Sequence, residues 1–290
     1  MPSPAPPFGS QAVLDEYTVL KVLGAGKFGE VNEVKHKETK KRFAWKRVKF
    51  ENDPHCEAEV QVLKQLKHHG VVGIYQVFSQ GGALDLILEL CSRGDMQQFI
   101  ESKVEPAPMT GKKMYVPPVL ETIADITQQL LATVSFLHEN CVAHRDIKPE
   151  NVLLTSRTQW KLADFNLATT FDPNEYMAEH VGTTPFKAPE VEDMKYTEKC
   201  DIYSMGILFI ALATGKRYWR PESLEDEEDK LVAEELLSEK TWKDAELGKP
   251  ALDFAKYMIS LEPERGSAEE ALKHPFLMQY SSQAGCCTIS

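Results

Sequence analysis

Short apolar runs with alternating polar positions fill the first third of the chain. The pattern recurs over residues 17–23, 30–34, 42–48, 71–78 and 83–90. Alternation with a period of two, in segments rich in β-forming residues, is typical of strands, so a series of strands is predicted here. Residues 1–16 begin with proline and small residues and are predicted to form a flexible tail, with order starting near Tyr17.

Apolar residues at helical spacing dominate the rest of the chain. Residues 56–67 carry the stripe Val60, Leu63 and Leu66, which predicts a helix. A longer amphipathic helix ending near His138 is predicted by Ile123, Ile126, Leu130, Val134 and Leu137. Residues 201–210 are apolar enough for a core helix. The segment 103–118 contains prolines and glycine and is predicted to be a surface loop.

Composition narrows the class of protein. The chain has 290 residues, 42% of them hydrophobic, which allows a substantial core. Its 33 basic and 44 acidic residues give a net charge of −11, which argues against nucleic acid and leans towards a basic peptide as partner. Six irregularly spaced cysteines predict a reducing compartment. Without a long apolar run or a signal-peptide core, a soluble protein is expected unless lipid is attached.

A polar loop with the sequence HRDIKPEN, residues 144–151, stands directly before the apolar run 152–154. A short buried strand would hold such a loop on a rigid base. Asp146 is a candidate acceptor for a hydroxyl proton, Lys148 a candidate to stabilise phosphoryl charge, and Asn151 offers an oxygen to Mg²⁺. A solvated polar loop is the alternative for any three of these residues taken alone.

A glycine-rich turn, GAGKFG at residues 24–29, separates the first two predicted strands. Such a turn fits a dinucleotide-binding fold, where a helix follows, or a hairpin whose backbone N–H groups cover phosphates. The strand-like sequel at 30–34 favours the hairpin, with an ordinary glycine hairpin as the open alternative. On the next strand, Ala44 and Lys46 point to one side, where adenine and phosphate contacts are compatible, with a solvated lysine among neighbouring basic residues as the open alternative.

Taken together, these motifs resemble those of eukaryotic protein kinases. HRDIKPEN is similar to the catalytic loop of the serine/threonine branch, DFN at 164–166 stands where the family has DFG, and APE follows at 188–190. The resemblance covers residues 17–277 and implies an α+β, two-lobed fold. The small lobe, about residues 17–90, would be mainly antiparallel sheet plus one helix, and the large lobe, about 92–277, mainly helical.

The resemblance also implies an activity. It is the ATP-dependent transfer of the γ-phosphoryl group of Mg-ATP to a protein hydroxyl on serine or threonine, with Mn²⁺ as an alternative metal. The implied catalytic residues are Asp146, Lys148 and Asn151, and the implied metal ligands are Asn151 and Asp164. A pseudokinase, which binds nucleotide as a scaffold without turnover, is the second hypothesis, and its motive is Asn166 in place of the family's glycine.

The implied nucleotide site draws on both lobes. Lys46 is expected to pair with Glu59, with Glu57 as the rival partner, and Leu88 to lie behind the adenine. Glu89 and Cys91 would offer backbone groups to adenine. The full set of nucleotide-binding positions implied is Leu23, Gly24, Ala25, Gly26, Lys27, Phe28, Gly29, Glu30, Val31, Ala44, Lys46, Glu59, Glu89, Cys91, Asp95 and Leu153.

Residues 164–190 resemble an activation loop. Thr183 is expected to contact the catalytic loop, and Arg145 to pair with negative charge on this segment. That charge could be phosphate on Thr169, Thr170 or Tyr176, or the fixed carboxylates of Asp172, Glu175 or Glu179. Asparagine tolerates left-handed backbone geometry well, so Asn166 is a mild substitution in kind. The resemblance further implies that Asp201 braces the catalytic loop and that Arg265 pairs with Glu190.

Three expectations concern partners and location. Glu150 and Asp95 resemble positions that read basic residues, so a protein substrate with basic segments is expected. The acid-rich stretch 222–235 reads as a solvated face or, less simply, as a dock for basic peptides. The final CTIS fits a prenylation signal at Cys287, with Cys286 available for palmitate. The expected location is cytoplasmic or nuclear, with membrane association only through such lipid.

Overall fold

The predicted strands of the N-terminal part form one antiparallel sheet. The computed structural model describes residues 11–26, 29–49, 56–80, 82–106, 113–155, 159–216, 234–244 and 247–281. The sheet has the order β1-β2-β3-β5-β4 and consists of β1 (Tyr17–Gly26), β2 (Gly29–His36), β3 (Arg42–Lys49), β4 (Ile74–Gln80) and β5 (Ala83–Leu88). The middle strand β3 carries Lys46, which lies opposite Val31 on β2 and Leu86 on β5. Lys46 is therefore held from both sides by backbone pairing.

Alternation along the strands gives this sheet two apolar faces. On one face, Val48, Leu84 and Leu86 pack with Val60 of helix α2 (Cys56–Gln65). On the other, Trp45 and Ile87 form a second cluster, and the buried Trp45 indole donates to Asp85 at 2.8 Å. The helix predicted over 56–67 is thus confirmed, and it covers the face of the sheet that also bears Lys46.

The predicted N-terminal tail is wrong over residues 11–16. These residues form helix α1 (Gln11–Glu16), and Val13 is completely buried against Tyr17, Val34 and Trp45. Three adjacent apolar residues, 12–14, in a six-residue segment give no visible helical period, so the burial of Val13 depends on the sheet face that receives it.

Helices make up most of the C-terminal part, as expected. They are α3 (Met96–Glu101), α4 (Leu120–Glu139), α5 (Pro189–Glu192), α6 (Cys200–Thr214), α7 (Glu239–Asp244), α8 (Gly248–Met258), α9 (Ala268–Leu272) and α10 (Pro275–Ser281). Helix α6 is buried from its first residue to Ala213, which confirms the predicted core helix. Over the residues described, no helix is both long enough and apolar enough to cross a membrane.

Two small ladders bring the chemically important loops together. They pair β8 (Val142–Ala143) with β11 (Thr169–Thr170), and β9 (Val152–Leu154) with β10 (Trp160–Leu162). The HRDIKPEN loop joins β8 to β9, and the DFN segment joins β10 to β11. Because both connections end on paired strands, the two loops lie side by side. The predicted buried strand after the catalytic loop is confirmed.

The surface loop predicted for 103–118 is also partly wrong. Strands β6 (Val104–Pro106) and β7 (Lys113–Tyr115) pair as an antiparallel hairpin, whose tip lies outside the described residues. The Tyr115 hydroxyl donates to the carbonyl of Leu212. Its ring lies against Gly215, so closely that a Cβ added at Gly215 would be 2.3 Å from a ring carbon of Tyr115. Gly215 ends α6 with a left-handed φ of 69°. The hairpin is therefore anchored by a contact across 97 residues, which local composition does not reveal.

The burial of Val13 makes a prediction about stability. Val13→Ala removes two methyl groups from the sheet face and should lower the free energy of unfolding by about 1–2 kcal/mol. The control Thr18→Ala, at an exposed position of β1, should change it by less than about 0.5 kcal/mol. Urea unfolding followed by circular dichroism measures both, and equal stability of Val13→Ala and the wild type would contradict the role of α1.

Candidate active site

A cleft of about 1070 Å³ opens between the sheet and the helical part. Pockets for small ligands typically measure about 300–1,000 Å³, so the cleft suits a ligand of nucleotide size. The predicted nucleotide-binding and metal-binding residues that line it are Leu23, Gly24, Val31, Ala44, Lys46, Glu89, Cys91, Asp95, Asn151, Leu153 and Asp164. The structure thus brings together residues from distant parts of the chain.

Other predicted residues do not line this cleft or fall outside the description. The Glu30 carboxylate is not among the lining residues and accepts from the Asn32 amide at 2.6 Å. Residues 27 and 28 and the side chains of Ala25, Gly26, Gly29, Glu57 and Glu59 lie outside the described residues, so their contacts stay predictions. Sequence reasoning missed Val22, Val72 and Ala163, which line the cleft. Apolar residues of this kind also fill cores, so one sequence does not mark them.

The catalytic loop rests on one buried carboxylate. Asp201, at the start of α6, accepts from the backbone N–H groups of His144 and Arg145, both at 2.8 Å. The ring of His138 lies 2.9 Å from the same carboxylate. Burial alone raises the pKa of Asp201, but its interactions with His138 and His144 outweigh that cost and lower the pKa below its usual value. Asp201 therefore holds the loop as a charged group, in the bracing role that was expected.

Asp146 is fixed from three sides. The Lys148 ammonium lies 2.7 Å from its Oδ2, Asn151 donates to the same oxygen at 3.0 Å, and the Thr183 hydroxyl donates to Oδ1 at 2.6 Å. Lys148 also donates to the Thr183 hydroxyl at 2.9 Å. The predicted contact of Thr183 with the catalytic loop is confirmed. Because Asn151 turns its amide nitrogen to Asp146, its amide oxygen is the atom that suits a cation.

Lys46 reaches across the cleft to the DFN segment. Its ammonium lies 2.7 Å from Asp164 Oδ1 and 2.9 Å from Asn166 Oδ1. Burial alone would raise the pKa of Asp164, but the charge and hydrogen bond of Lys46 outweigh it and lower that pKa below its usual value. An ionised carboxylate beside an amide oxygen is the donor set that a hard cation prefers, so Asp164 and Asn151 fit the metal role.

The geometry of the DFN segment differs from the expectation for Asn166. The residue with left-handed backbone is Asp164, with φ of 63°, while Asn166 lies in the 3-10 turn Phe165–Leu167. Phe165 is completely buried, with its ring 4.7 Å from that of His144. The tolerance of asparagine for left-handed geometry is therefore not used here. Its side chain is what contributes, through the bond to Lys46.

The segment between β5 and α3 forms the back of the cleft. The Glu89 side chain pairs with Lys161 at 3.0 Å and its N–H donates to the Gly73 carbonyl at 2.8 Å, so its carbonyl is the group suited to the predicted adenine contact. Burial, together with the charge of Glu89, raises the pKa of the Cys91 thiol to about 12, which keeps it protonated. Asp95 caps α3 by accepting from the Gln98 N–H at 2.8 Å, a structural role beside its place in the cleft.

Arg145 pairs with one of the acidic residues of the activation segment. Its guanidinium donates to the Glu179 carboxylate, to the Tyr196 hydroxyl at 3.1 Å and to the Leu167 carbonyl at 2.7 Å. Gly182, with φ of 102°, passes so close that a Cβ would lie 2.9 Å from the Arg145 carbonyl. Within the described part of the segment, the fixed charge on Arg145 is therefore that of Glu179.

The end of the activation segment is tied to the helical part by a buried ion pair. Arg265 is fully buried and donates to the Glu190 carboxylate, to the Lys199 carbonyl at 3.0 Å and to the Ser260 carbonyl at 2.7 Å. The pair that the resemblance implied is confirmed. Together with Asp201, it anchors both ends of the site on the buried helical core.

Comparison with known proteins agrees with this geometry. The family profile of the protein kinase domain matches residues 17–277. The chain therefore belongs to the eukaryotic protein kinase superfamily, in its serine/threonine branch.

Three relatives illustrate the similarity. Serine/threonine-protein kinase PEPKR2 of Arabidopsis thaliana is 31% identical over 271 residues, which are 93% of this chain and 55% of that protein. Cyclin-dependent kinase-like 1 of Caenorhabditis elegans is 34% identical over 213 residues, covering 71% and 57%. Probable serine/threonine-protein kinase nek2 of Dictyostelium discoideum is 32% identical over 212 residues, covering 69% and 49%. The chain spans about half the length of these relatives.

The Arg145–Glu179 contact makes a prediction about activation. Glu179→Gln should lower kcat for peptide phosphorylation about fivefold, because an ion pair with one exposed partner contributes on the order of 1 kcal/mol. The change should appear in phosphatase-treated protein, where only fixed charge remains. Glu175→Gln, a matched change at another exposed acid of the segment, should leave kcat unaltered. Equal kcat for wild type and Glu179→Gln would show that this carboxylate does not support the active arrangement.

Proposed function

We propose that this protein kinase is catalytically active and transfers the γ-phosphoryl group of Mg-ATP to serine or threonine hydroxyls of a protein substrate. The observation that carries the proposal is that Lys46, Asn151 and Asp164 line one cleft of nucleotide size, while Asn151 bonds to Asp146, which in turn pairs with Lys148. Their spacing along the chain is wide, and their chemical types are those that phosphoryl transfer requires.

Asp146 has the role of orienting the substrate hydroxyl and accepting its proton. Its carboxylate is held by Asn151 and Thr183, so it presents its oxygens without a search among rotamers. The Lys148 ammonium lies between Asp146 and Thr183, where it stabilises negative charge beside the accepting carboxylate. These side chains are in contact before any substrate arrives, which is the preorganisation that favours catalysis.

Asn151 and Asp164 would hold the divalent cation, Mg²⁺ or Mn²⁺, through an amide and a carboxylate oxygen. When bound, the cation neutralises charge on the phosphates. Lys46 contributes a second positive charge from the opposite wall of the cleft, fixed by its position on the central strand β3. Lys46 and a cation held by Asn151 and Asp164 would thus put positive charge beside a triphosphate, and Asp146 would be the proton acceptor next to Asn151.

The decisive test is Asp146→Asn. This variant keeps the size of the side chain but removes the proton acceptor, and it should reduce transfer of labelled γ-phosphate to a mixed peptide library about 10²–10⁴-fold. Asp253→Asn, the same change at an exposed site on α8, should leave transfer unchanged.

The pseudokinase hypothesis expects the opposite outcome. The reason for this hypothesis is Asn166, which together with Asp164 accepts a hydrogen bond from Lys46. Equal, background-level transfer by folded wild type and folded Asp146→Asn would support a nucleotide-binding scaffold and reject the proposed activity.

A preference for basic substrates is part of the proposal. Asp95 and Glu150 both line the cleft. Burial raises the pKa of Asp95, and the charge of Glu150 contributes to that rise. Two neighbouring carboxylates at the mouth of a cleft attract lysine or arginine side chains.

An arginine-scanned peptide array tests this preference. Wild type should favour peptides with a basic residue near the acceptor, and Glu150→Gln should reduce that preference about fivefold, as expected for one exposed charge pair on the order of 1 kcal/mol. Glu264→Gln, a matched change at an exposed position outside the cleft, should leave the preference intact. No preference in the wild type would contradict this part of the proposal.

The sequence alone supports the proposed location. We propose a cytoplasmic or nuclear location, with membrane association only through lipid on Cys287 beside Cys286. These cysteines, and most of the acid-rich stretch 222–235, lie outside the described residues. The net charge of −11 works against an anionic membrane surface, so lipid would have to supply the attachment.

A further inference from the structure

Asn166 stands where the family has glycine, and its side chain contacts Lys46, which lines the cleft. The residue is buried, and its Oδ1 accepts from the Lys46 ammonium at 2.9 Å. Asp164 Oδ1 lies 2.7 Å from the same ammonium. Glycine at this position has no side-chain oxygen to offer. The contact between Lys46 and residue 166 is therefore a property of this chain.

The environment of the Asn166 amide nitrogen argues for a functional role rather than for packing alone. Among the described residues, Asn166 Nδ2 is the buried side-chain atom without a hydrogen-bond partner. A buried donor without a partner costs stability, and an apolar residue of similar size would fill the space without that cost. Packing alone therefore does not explain an asparagine here, whereas its oxygen makes a specific bond to Lys46.

We propose that Asn166 is a positioning residue that holds the Lys46 ammonium in the phosphate-binding part of the cleft. The inference rests on the proposed function, in which Lys46 contacts the phosphates and Asp164 contacts a cation. Asp164 and Asn166, the acceptors of Lys46 among the described residues, differ in one respect. Asp164 neutralises the lysine and has a second task at the metal, whereas Asn166 orients the lysine without neutralising it.

The neutrality of the amide has a physical consequence. A carboxylate beside Lys46 competes with phosphate oxygens for the same positive charge, but an amide oxygen leaves that charge available. If Asp164 also held a cation, the bond from Asn166 would keep the lysine in place at little electrostatic cost. Asn166 thus supplies a tether for Lys46 that does not compete with the nucleotide.

The expected effect is on nucleotide binding rather than on the chemical step. Asn166→Gly, which installs the family's residue, should raise KM for ATP about tenfold, because a hydrogen bond to a charged group is lost. The kcat should stay within about twofold, since Lys46 binds the phosphates in ground and transition states alike. Asn174→Gly, the same change at an exposed position of the activation segment, should leave both constants unchanged.

Asn166→Asp tests whether neutrality matters. This variant keeps an oxygen at the same place but adds a negative charge beside Lys46 and the phosphates. Its KM for ATP should rise at least as far as that of Asn166→Gly. A KM equal to that of the wild type would overturn the requirement for a neutral acceptor. Unchanged KM in Asn166→Gly, with an unchanged melting temperature, would overturn the positioning role itself.

Binding measurements separate this inference from the proposed activity. Isothermal titration with ATP, with and without Mg²⁺, gives Kd for the wild type, Asn166→Gly, Lys46→Ala and the double variant, whether or not the protein turns over. If Asn166 acts through Lys46, Asn166→Gly should weaken binding about tenfold in the wild type and have no further effect in Lys46→Ala. Equal effects in both backgrounds would reject the inference. Loss of turnover with this coupling intact would reject the activity alone.

Discussion

The site depends on a single buried carboxylate. Asp201 is completely buried, yet it stays charged because it accepts from two backbone N–H groups of the catalytic loop and contacts His138. One of the residues it holds, Arg145, has a left-handed φ of 64°, a conformation that non-glycine residues rarely adopt without such support. The loop therefore takes its shape from the core helix α6. The side chains proposed to carry the chemistry are therefore positioned by this loop.

The second constraint is the balance of charge across the cleft. Asp146 pairs with Lys148, and Asp164 pairs with Lys46, each at 2.7 Å. Within each pair, the lysine and the aspartate neutralise each other's charge, because an unpaired charge in a partly buried site is costly. A triphosphate and a cation bring new charges of both signs and must share these partners. A neutral acceptor such as Asn166 provides another hydrogen-bond partner for Lys46 without changing the net charge of the site.

Several predictions failed where local sequence carries too little information. The helix α1 forms because Val13 meets a sheet face made by strands up to 74 residues later, and its three adjacent apolar residues show no helical period. The β6–β7 hairpin is anchored by Tyr115 on Leu212, a partner that no local pattern identifies. For Asn166, backbone tolerance was the wrong property to consider. The structure places left-handed geometry at Asp164 and uses the side chain of Asn166 instead.

From the sequence, the strand and helix series could be predicted from periodicity, and the resemblance to kinases implied the two-lobed fold and the roles of Lys46, Asp146, Asn151 and Asp164. Periodicity and motif chemistry are local properties, so one sequence is enough to read them. The partners of these residues could be identified only from the folded structure. In the structure, Arg145 pairs with Glu179 rather than with Asp172 or Glu175. Lys46 donates to Asn166 as well as to Asp164. Such contacts join segments distant in the chain, and their energies depend on distance and burial, which exist only after folding.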